Sequence, residues 1–163
     1  MMVRPFQAQD AAKLGQVFFR SVHEVGSVRY TSAQLAVWAP AEPTEAFYLD
    51  RAGDGRVVLV AVDDRGRPLG YGDLKPNGHI NHLYFAPEAT RTGLAIKLYD
   101  QLEQVAVVQG IPLLYTEASE LARSFFHKRG FATVERRDFL LRDVPIHNYR
   151  MEKRLASRPL GAV

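Results

Sequence analysis

The residues His79–Gln101, HINHLYFAPEATRTGLAIKLYDQ, decide how this chain folds. From His79 to Phe85 the pattern alternates as in a strand, and Pro87 stops it. The junction Thr90-Arg91-Thr92-Gly93-Leu94-Ala95 then feeds a helix predicted over about Thr92–Gln109, with Leu94, Leu98, Leu102 and Val105 on its buried side. The junction has no acidic residue, and its glycine permits close backbone approach. Backbone N–H groups at a helix start are unpaired and carry the positive end of the helix dipole. Such a start seats phosphate oxygens, so this segment is suited to an anionic cofactor.

Upstream, Val3–Phe6 reads as a first strand and Ala11–Val25 as a first helix, ended by Gly26. Tyr30-Thr31-Ser32 opens a second helix, in which Leu35 and Trp38 share a face, and Phe47–Leu49 forms a helical turn. The period then changes. Arg56–Val62 (RVVLVAV) is the β-branched run of a strand covered on both faces. Turns at Asp63–Pro68 and Pro76–Gly78 join it to Leu69–Leu74 and then to the strand from His79, giving an antiparallel meander. Downstream, Ile111–Tyr115 reads as a short strand parallel to the one ending at Phe85, because a helix intervenes. Ala118-Ser119-Glu120 opens a helix running to Lys128, and Phe131–Leu141 with His147–Lys153 forms a hairpin around Pro145. The expectation is an α+β domain over residues 1–155 with a tail at 156–163.

The chain has 163 residues, 47% hydrophobic and 24% charged, with a net charge of +3 and a sequence pI near 9.3. The basic residues are scattered, so no nucleic-acid partner is expected. Without cysteine, thiol catalysis, disulfides and thiolate-held metal are excluded. No metal set is expected either, since the five histidines lack helical pairing with one another. The N-terminus has no apolar signal core and no apolar run approaches about 18 residues, so a cytoplasmic protein with no membrane partner is expected.

In order and spacing, four segments resemble the GNAT superfamily of acyl-CoA N-acyltransferases. RPFQAQDAAKLGQVFF resembles the family's first strand and helix, and HLYFAPEATRTGLAIKLYDQLE its acyl-CoA motif, written Gln/Arg-x-x-Gly-x-Gly/Ala. TEASELARSFFHKRGF resembles Asn/Ser-x-x-Ala-x-x-Phe-Tyr-x-x-x-Gly-Phe, and YRMEKRL the last strand. Tyr30 and, in the TSAQLAVWAP that follows it, Trp38 are similar to a bacterial, YafP-like branch. The resemblance implies a mixed, mostly antiparallel sheet of six to seven strands, four main helices and splayed central strands. It implies acetyl-CoA as co-substrate, with pantetheine along Leu83, Tyr84 and Phe85. Pyrophosphate would rest on the N–H groups of Thr90, Arg91, Thr92, Gly93, Leu94 and Ala95, with Ser119 and Phe126 also at the cofactor. The motif's first residue is Thr90 rather than Gln or Arg, and Phe126 replaces the family tyrosine that protonates the departing thiolate. Family members are often dimers, which leaves a homodimer open.

The implied reaction is transfer of an acetyl group to a primary amine by direct attack in a ternary complex. The Phe85 N–H is the implied oxyanion donor. His79 stands where some members carry a catalytic Glu, and an imidazole suits that task, although a strand-start histidine beside a turn needs no such role. Tyr115 is a candidate acid in place of the missing phenol. Asn81 shares the His79 face by alternation and is assigned to the acceptor, while His82 on the opposite face reads as structural. Glu24, Tyr30 and Trp38 lie in the helices that cover the acceptor mouth; Glu24 could attract an amine, and the two aromatics read equally as core. The rival from another class is a non-catalytic acyl-CoA-binding or sensing module.

Overall fold

The period-2 run that opens the meander fixes where the layers go. In the computed structural model, which describes residues 1–156, Val57–Val62 (β2) sends Leu59 and Ala61 to one face and Val60 and Val62 to the other. Both faces are therefore covered, as the unbroken apolar run requires. Met2–Pro5 (β1), β2, Pro68–Leu74 (β3) and Leu83–Phe85 (β4) form one antiparallel sheet in that order. Leu113–Ala118 (β5), Ala132–Leu141 (β6) and Val144–Arg154 (β7) form a second, ordered β5-β7-β6.

Three helices cover one face of the first sheet: Ala11–Arg20 (α1), Ser32–Trp38 (α2) and Glu45–Ala52 (α3). Thr31 caps α2 through a reciprocal pair with Gln34, as the Thr-Ser-Ala-Gln spacing favours. The opposite face packs on Leu94–Val108 (α4), whose Leu94, Leu98, Tyr99, Leu102 and Ala106 are buried. Leu98 and Leu102 lie over Gly72, where an added Cβ would come within 2.8 Å of the Leu98 side chain. Burying each leucine contributes about 1.5–3 kcal/mol. The last helix, Ala122–Lys128 (α5), precedes the β6–β7 hairpin. No helix among the described residues is long and apolar enough to cross a membrane.

Several boundaries differ from the expectation, each for a local reason. α1 continues as a π-helical turn over Ser21–Val25 rather than as regular helix. The turn at Phe47–Leu49 is a complete helix, capped by the Thr44 hydroxyl on the Phe47 N–H. This makes five α-helices among the described residues rather than four. β5 runs three residues past Tyr115, because β7 pairs with it through Ala118, and α5 starts correspondingly late. The hairpin turns at Arg142-Asp143, both at positive φ, and Pro145 lies inside β7. Of the expected tail, only Ala156 is among the described residues.

The largest difference is at His79–Phe85. Only Leu83–Phe85 is regular strand, and the two sheets touch through a single parallel bridge between His79 and Tyr115. The Ile80 N–H donates to Tyr115 O and the Tyr115 N–H to Gly78 O. Beyond that bridge the Asp73 carboxylate accepts the backbone N–H groups of both Asn81 (3.0 Å) and His82 (2.9 Å). A side chain thus takes the place of a ladder partner, which bulges the strand. β4 swings away from β5, and the central strands splay.

Candidate active site between the splayed strands

The ladder register decides which groups face the gap. The Asp73 N–H donates to His82 O and the Ala86 N–H to Leu69 O, so Tyr84 is the residue hydrogen-bonded to Tyr71 in between. Leu83 and Phe85 therefore present their N–H and C=O groups to the open edge. The Phe85 ring lies over Gly70, where a Cβ would meet the ring at 2.1 Å, so this close approach needs glycine.

On one side of β4 lies a cavity of about 570 Å³. Leu83, Tyr84, Phe85, Thr90, Arg91, Gly93, Ala95 and Ser119, all expected at the cofactor, line it. Arg91 (φ 62°) and Gly93 (φ 82°) both turn into the left-handed region, which aims successive N–H groups into one concavity. The donor set is smaller than expected. The Thr90 and Thr92 N–H groups are taken by Pro87 O and Ala89 O, and the Leu94 N–H points at Thr92 Oγ1 (3.3 Å). The N–H groups of Arg91, Gly93 and Ala95 remain for an anion. Thr92 and Leu94 brace this loop rather than line the cavity. The π-helical turn contributes Ser21, Val22 and Val25 to the opposite wall, and α5 contributes Phe125 and Lys128. Sequence reading missed these; Phe125 and Lys128 share a helix face by their i, i+3 spacing, which was the available signal.

On the other side is a cavity of about 240 Å³, lined by Tyr30, Trp38 and Asn81 among the expected acceptor residues. Leu83, Tyr84, Ser119, Ala122 and Trp38 line both cavities and form their common wall. Ser119 Oγ accepts the Ala122 N–H (3.1 Å), which leaves its own proton to donate. The bulge at Asn81 and His82 breaks the alternation, so both residues line the acceptor cavity and His82 is not on an opposite, purely structural face.

His82 has a defined tautomer. The Tyr48 hydroxyl donates to Leu14 O (3.3 Å), so the Tyr71 hydroxyl donates to Tyr48 Oη (3.1 Å), and His82 Nδ1–H donates to Tyr71 Oη (2.9 Å). Nε2 is left with its lone pair. Burial first, then the Arg51 charge, pushes the imidazole down to about 3, so it is neutral at ordinary pH. Arg51 also donates to Asn81 Oδ1 (2.7 Å), fixing that amide. The charge next to these residues is shared by Asp73, 1% exposed, with Arg51 (2.5 Å) and Arg56 (3.0 Å).

Glu117 brings a carboxylate to the acceptor cavity. His79 Nε2 lies 2.5 Å from Glu117 Oε2, and this hydrogen bond holds the carboxyl below its usual range against the opposing effect of burial. Glu117 was not singled out from sequence, because β5 was ended at Tyr115.

Besides Thr92 and Leu94, four expected site residues fall elsewhere. His79 lines neither cavity; it stacks on Tyr115 (centroids 4.6 Å, 3° between planes) and reaches the acceptor side only through Glu117. Tyr115 also lines neither cavity, because its hydroxyl accepts from Asn77 Nδ2 (3.0 Å) and Arg150 covers its ring. Glu24 pairs with Arg20 (3.1 Å), which in turn holds Glu88 before the phosphate loop, so it is not at the acceptor cavity. Phe126 is core, packed with Tyr99 and Phe131; it touches the acceptor cavity, while Phe125 faces the cofactor one.

A loop of free N–H groups, a strand with an open edge and a second cavity behind it define an acyltransferase of the GNAT type. Residues 28–153 match the acetyltransferase (GNAT) domain family, and the chain belongs to that family. It is similar to the uncharacterised N-acetyltransferase YafP of Escherichia coli (strain K12), 26% identical over 151 residues, which cover 93% of this chain and 94% of that protein. It is also similar to a GCN5-related N-acetyltransferase from Rhodopseudomonas palustris, with 31% identity, a TM-score of 0.85 and 94% and 95% of the two chains covered. A PaiA N-acetyltransferase from Thermoplasma acidophilum, in complex with coenzyme A, shares the fold at 19% identity and a TM-score of 0.77, covering 94% and 98% of the two chains.

Proposed function

We propose that this acetyltransferase moves the acetyl group of acetyl-CoA to a primary amine by direct attack, with both substrates bound at once. The observation that carries this is the wall shared by the two cavities at Leu83, Tyr84, Ser119 and Ala122. A thioester entering along the open edge of β4 and an amine entering from the other side meet there without either leaving.

The free N–H groups of Arg91, Gly93 and Ala95 hold the pyrophosphate, so the grip is mainly backbone. The open-edge groups of Leu83 and the Phe85 C=O pair with the pantetheine amides. Acetyl-CoA supplies an activated carbonyl; the amine nitrogen bonds to it as the C–S bond breaks. The Phe85 N–H stabilises the oxygen that gains charge. The neutral His82 Nε2 accepts one amine N–H and aims the nitrogen's lone pair. The Glu117 carboxylate accepts the amine's proton, and His79, whose Nε2–H donates to Glu117, is a positioning residue behind it. Ser119 donates a hydrogen bond to the departing sulfur, which tolerates leaving as thiolate because thiols of this kind ionise near pH 8–9. With no cysteine in the chain, a cysteinyl-acyl enzyme is excluded.

Initial rates of CoA thiol release, with acetyl-CoA and amine both varied, test this. Intersecting double-reciprocal lines are expected; parallel lines would overturn the ternary complex. CoA binding without turnover of any amine in a broad panel would favour a sensing module instead.

A further inference from the structure

The lining of the acceptor cavity carries information about what the acceptor is. Two hydrogen-bond acceptors on its lining are placed to meet an amine: the Glu117 carboxylate and His82 Nε2. Of the other polar side chains, Ser119 keeps a proton to donate on the wall shared with the larger cavity, while Thr116 and His147 are committed. The Thr116 hydroxyl donates to Ile80 O (2.9 Å), and His147 Nε2 pairs with Glu120 (2.7 Å).

Among the described residues, no lysine or arginine lines this cavity. The cations around it are turned elsewhere. Arg51 is held by Asp73 and Asn81, Arg123 lies over Tyr149 and Arg150 over Tyr115. Arg137 approaches only Glu117, at 3.7 Å. An acceptor's own carboxylate or phosphate would thus face Glu117 with no cation on the described lining to pair with it. The remaining walls are apolar and aromatic: Trp38 meets Tyr30 edge-on at 5.2 Å, and Phe139, Leu141 and Ile146 close the far side. At about 240 Å³ the space lies below the usual range of about 300–1,000 Å³ for ligand pockets.

From this we infer that the acceptor is a small primary amine with an aromatic or branched apolar body and no anionic group. The ammonium end approaches Glu117, and the body packs on Trp38 and Tyr30. The inference rests on the acetyl-transfer reading above and narrows its substrate.

The test compares 2-phenylethylamine with phenylalanine, which adds a carboxylate to the same body, with spermidine and with a lysine peptide. The full chain is used at saturating acetyl-CoA, and thiol release is followed. The expected kcat/KM for 2-phenylethylamine exceeds that for phenylalanine by about 100-fold, because a like charge is brought against Glu117. In Glu117→Gln, the Kd of 2-phenylethylamine should rise about tenfold, the loss of a charge-assisted contact. Inhibition by 2-phenylethanol, which lacks the ammonium, should stay within about twofold. An equal loss for both compounds would mean that shape rather than charge is recognised, and would overturn the inference. Faster turnover of phenylalanine, spermidine or the peptide would overturn it while leaving acetyl transfer standing. Absence of thiol release with every amine, while CoA still raises the melting temperature, would instead overturn the acetyl-transfer reading itself.

Discussion

Asp73 should prove to be the residue on which the open edge of β4 depends, and two substitutions separate its charge from its shape. Asp73→Asn keeps an oxygen that can accept the Asn81 and His82 N–H groups, so the bulge is retained. It removes the negative charge between Arg51 and Arg56, whose side chains are 15% and 7% exposed. Breaking a buried ion pair from one side costs about 3–5 kcal/mol. Arg56 keeps Asp54 at 2.7 Å and Arg51 keeps Asn81, so the lower end, about 3 kcal/mol, is expected. For a chain of this size that lowers the melting temperature by about 6–12 °C. Asp73→Ala loses the charge and also the acceptor for two backbone N–H groups, so β4 is free to close toward β5. Calorimetry for stability and titration of CoA at a temperature where both variants are folded make the comparison. The Asn variant should bind CoA within about twofold of the parent, and the Ala variant at least about tenfold more weakly. If the Ala variant binds CoA normally, the splay is not held by Asp73. If the Asn variant melts with the parent, the buried charge is not paired as described.

Other expectations follow from the same geometry. Gly93→Ala places a Cβ at φ 82°, a conformation that costs about 1–2 kcal/mol without glycine, so KM for acetyl-CoA should rise about tenfold with little change for the amine. Glu24→Ala should leave the amine KM within about twofold, because Glu24 faces Arg20 rather than the acceptor cavity; a larger rise would return it to the site. Asp73 gives a pH signature in urea unfolding. Burial would raise its carboxyl, but the His82 backbone N–H and Arg51 outweigh burial and lower it below 3.8. A lowered folded value contributes stability that is complete above the unfolded value and is lost as pH falls through the folded one. The parent should therefore lose stability below about pH 4, and Asp73→Asn should lose less over that interval.

The parts of the fold legible in the sequence were those with a strong local period or cap. RVVLVAV announced a two-faced strand, Thr31 and Gln34 a helix start, and Gly93 a turn into α4. What escaped was fixed by distant partners. Nothing near Thr116–Ala118 says strand; β7, more than thirty residues later, makes it one, and that brings Glu117 to the cavity. The bulge at Asn81 and His82 depends on a carboxylate eight and nine residues earlier, itself held by Arg51 and Arg56. Strict alternation therefore assigned His82 to the wrong face and gave His79 a direct role. The cofactor side was read better because a glycine-bearing loop before a helix is a local signal. Even there, which N–H groups are free depends on turns that composition does not specify.

The unpaired edge of β4 has a consequence for the life of the protein in a cell. A strand edge left unpaired within the protein's own sheet is stabilised by whatever pairs with it. A ligand present at about 100 times its Kd adds about 2.7 kcal/mol to the folded state. If CoA fills this edge, the abundance of the folded protein would follow the CoA pool, and a fall in that metabolite would expose a row of backbone donors and acceptors to any extended peptide nearby.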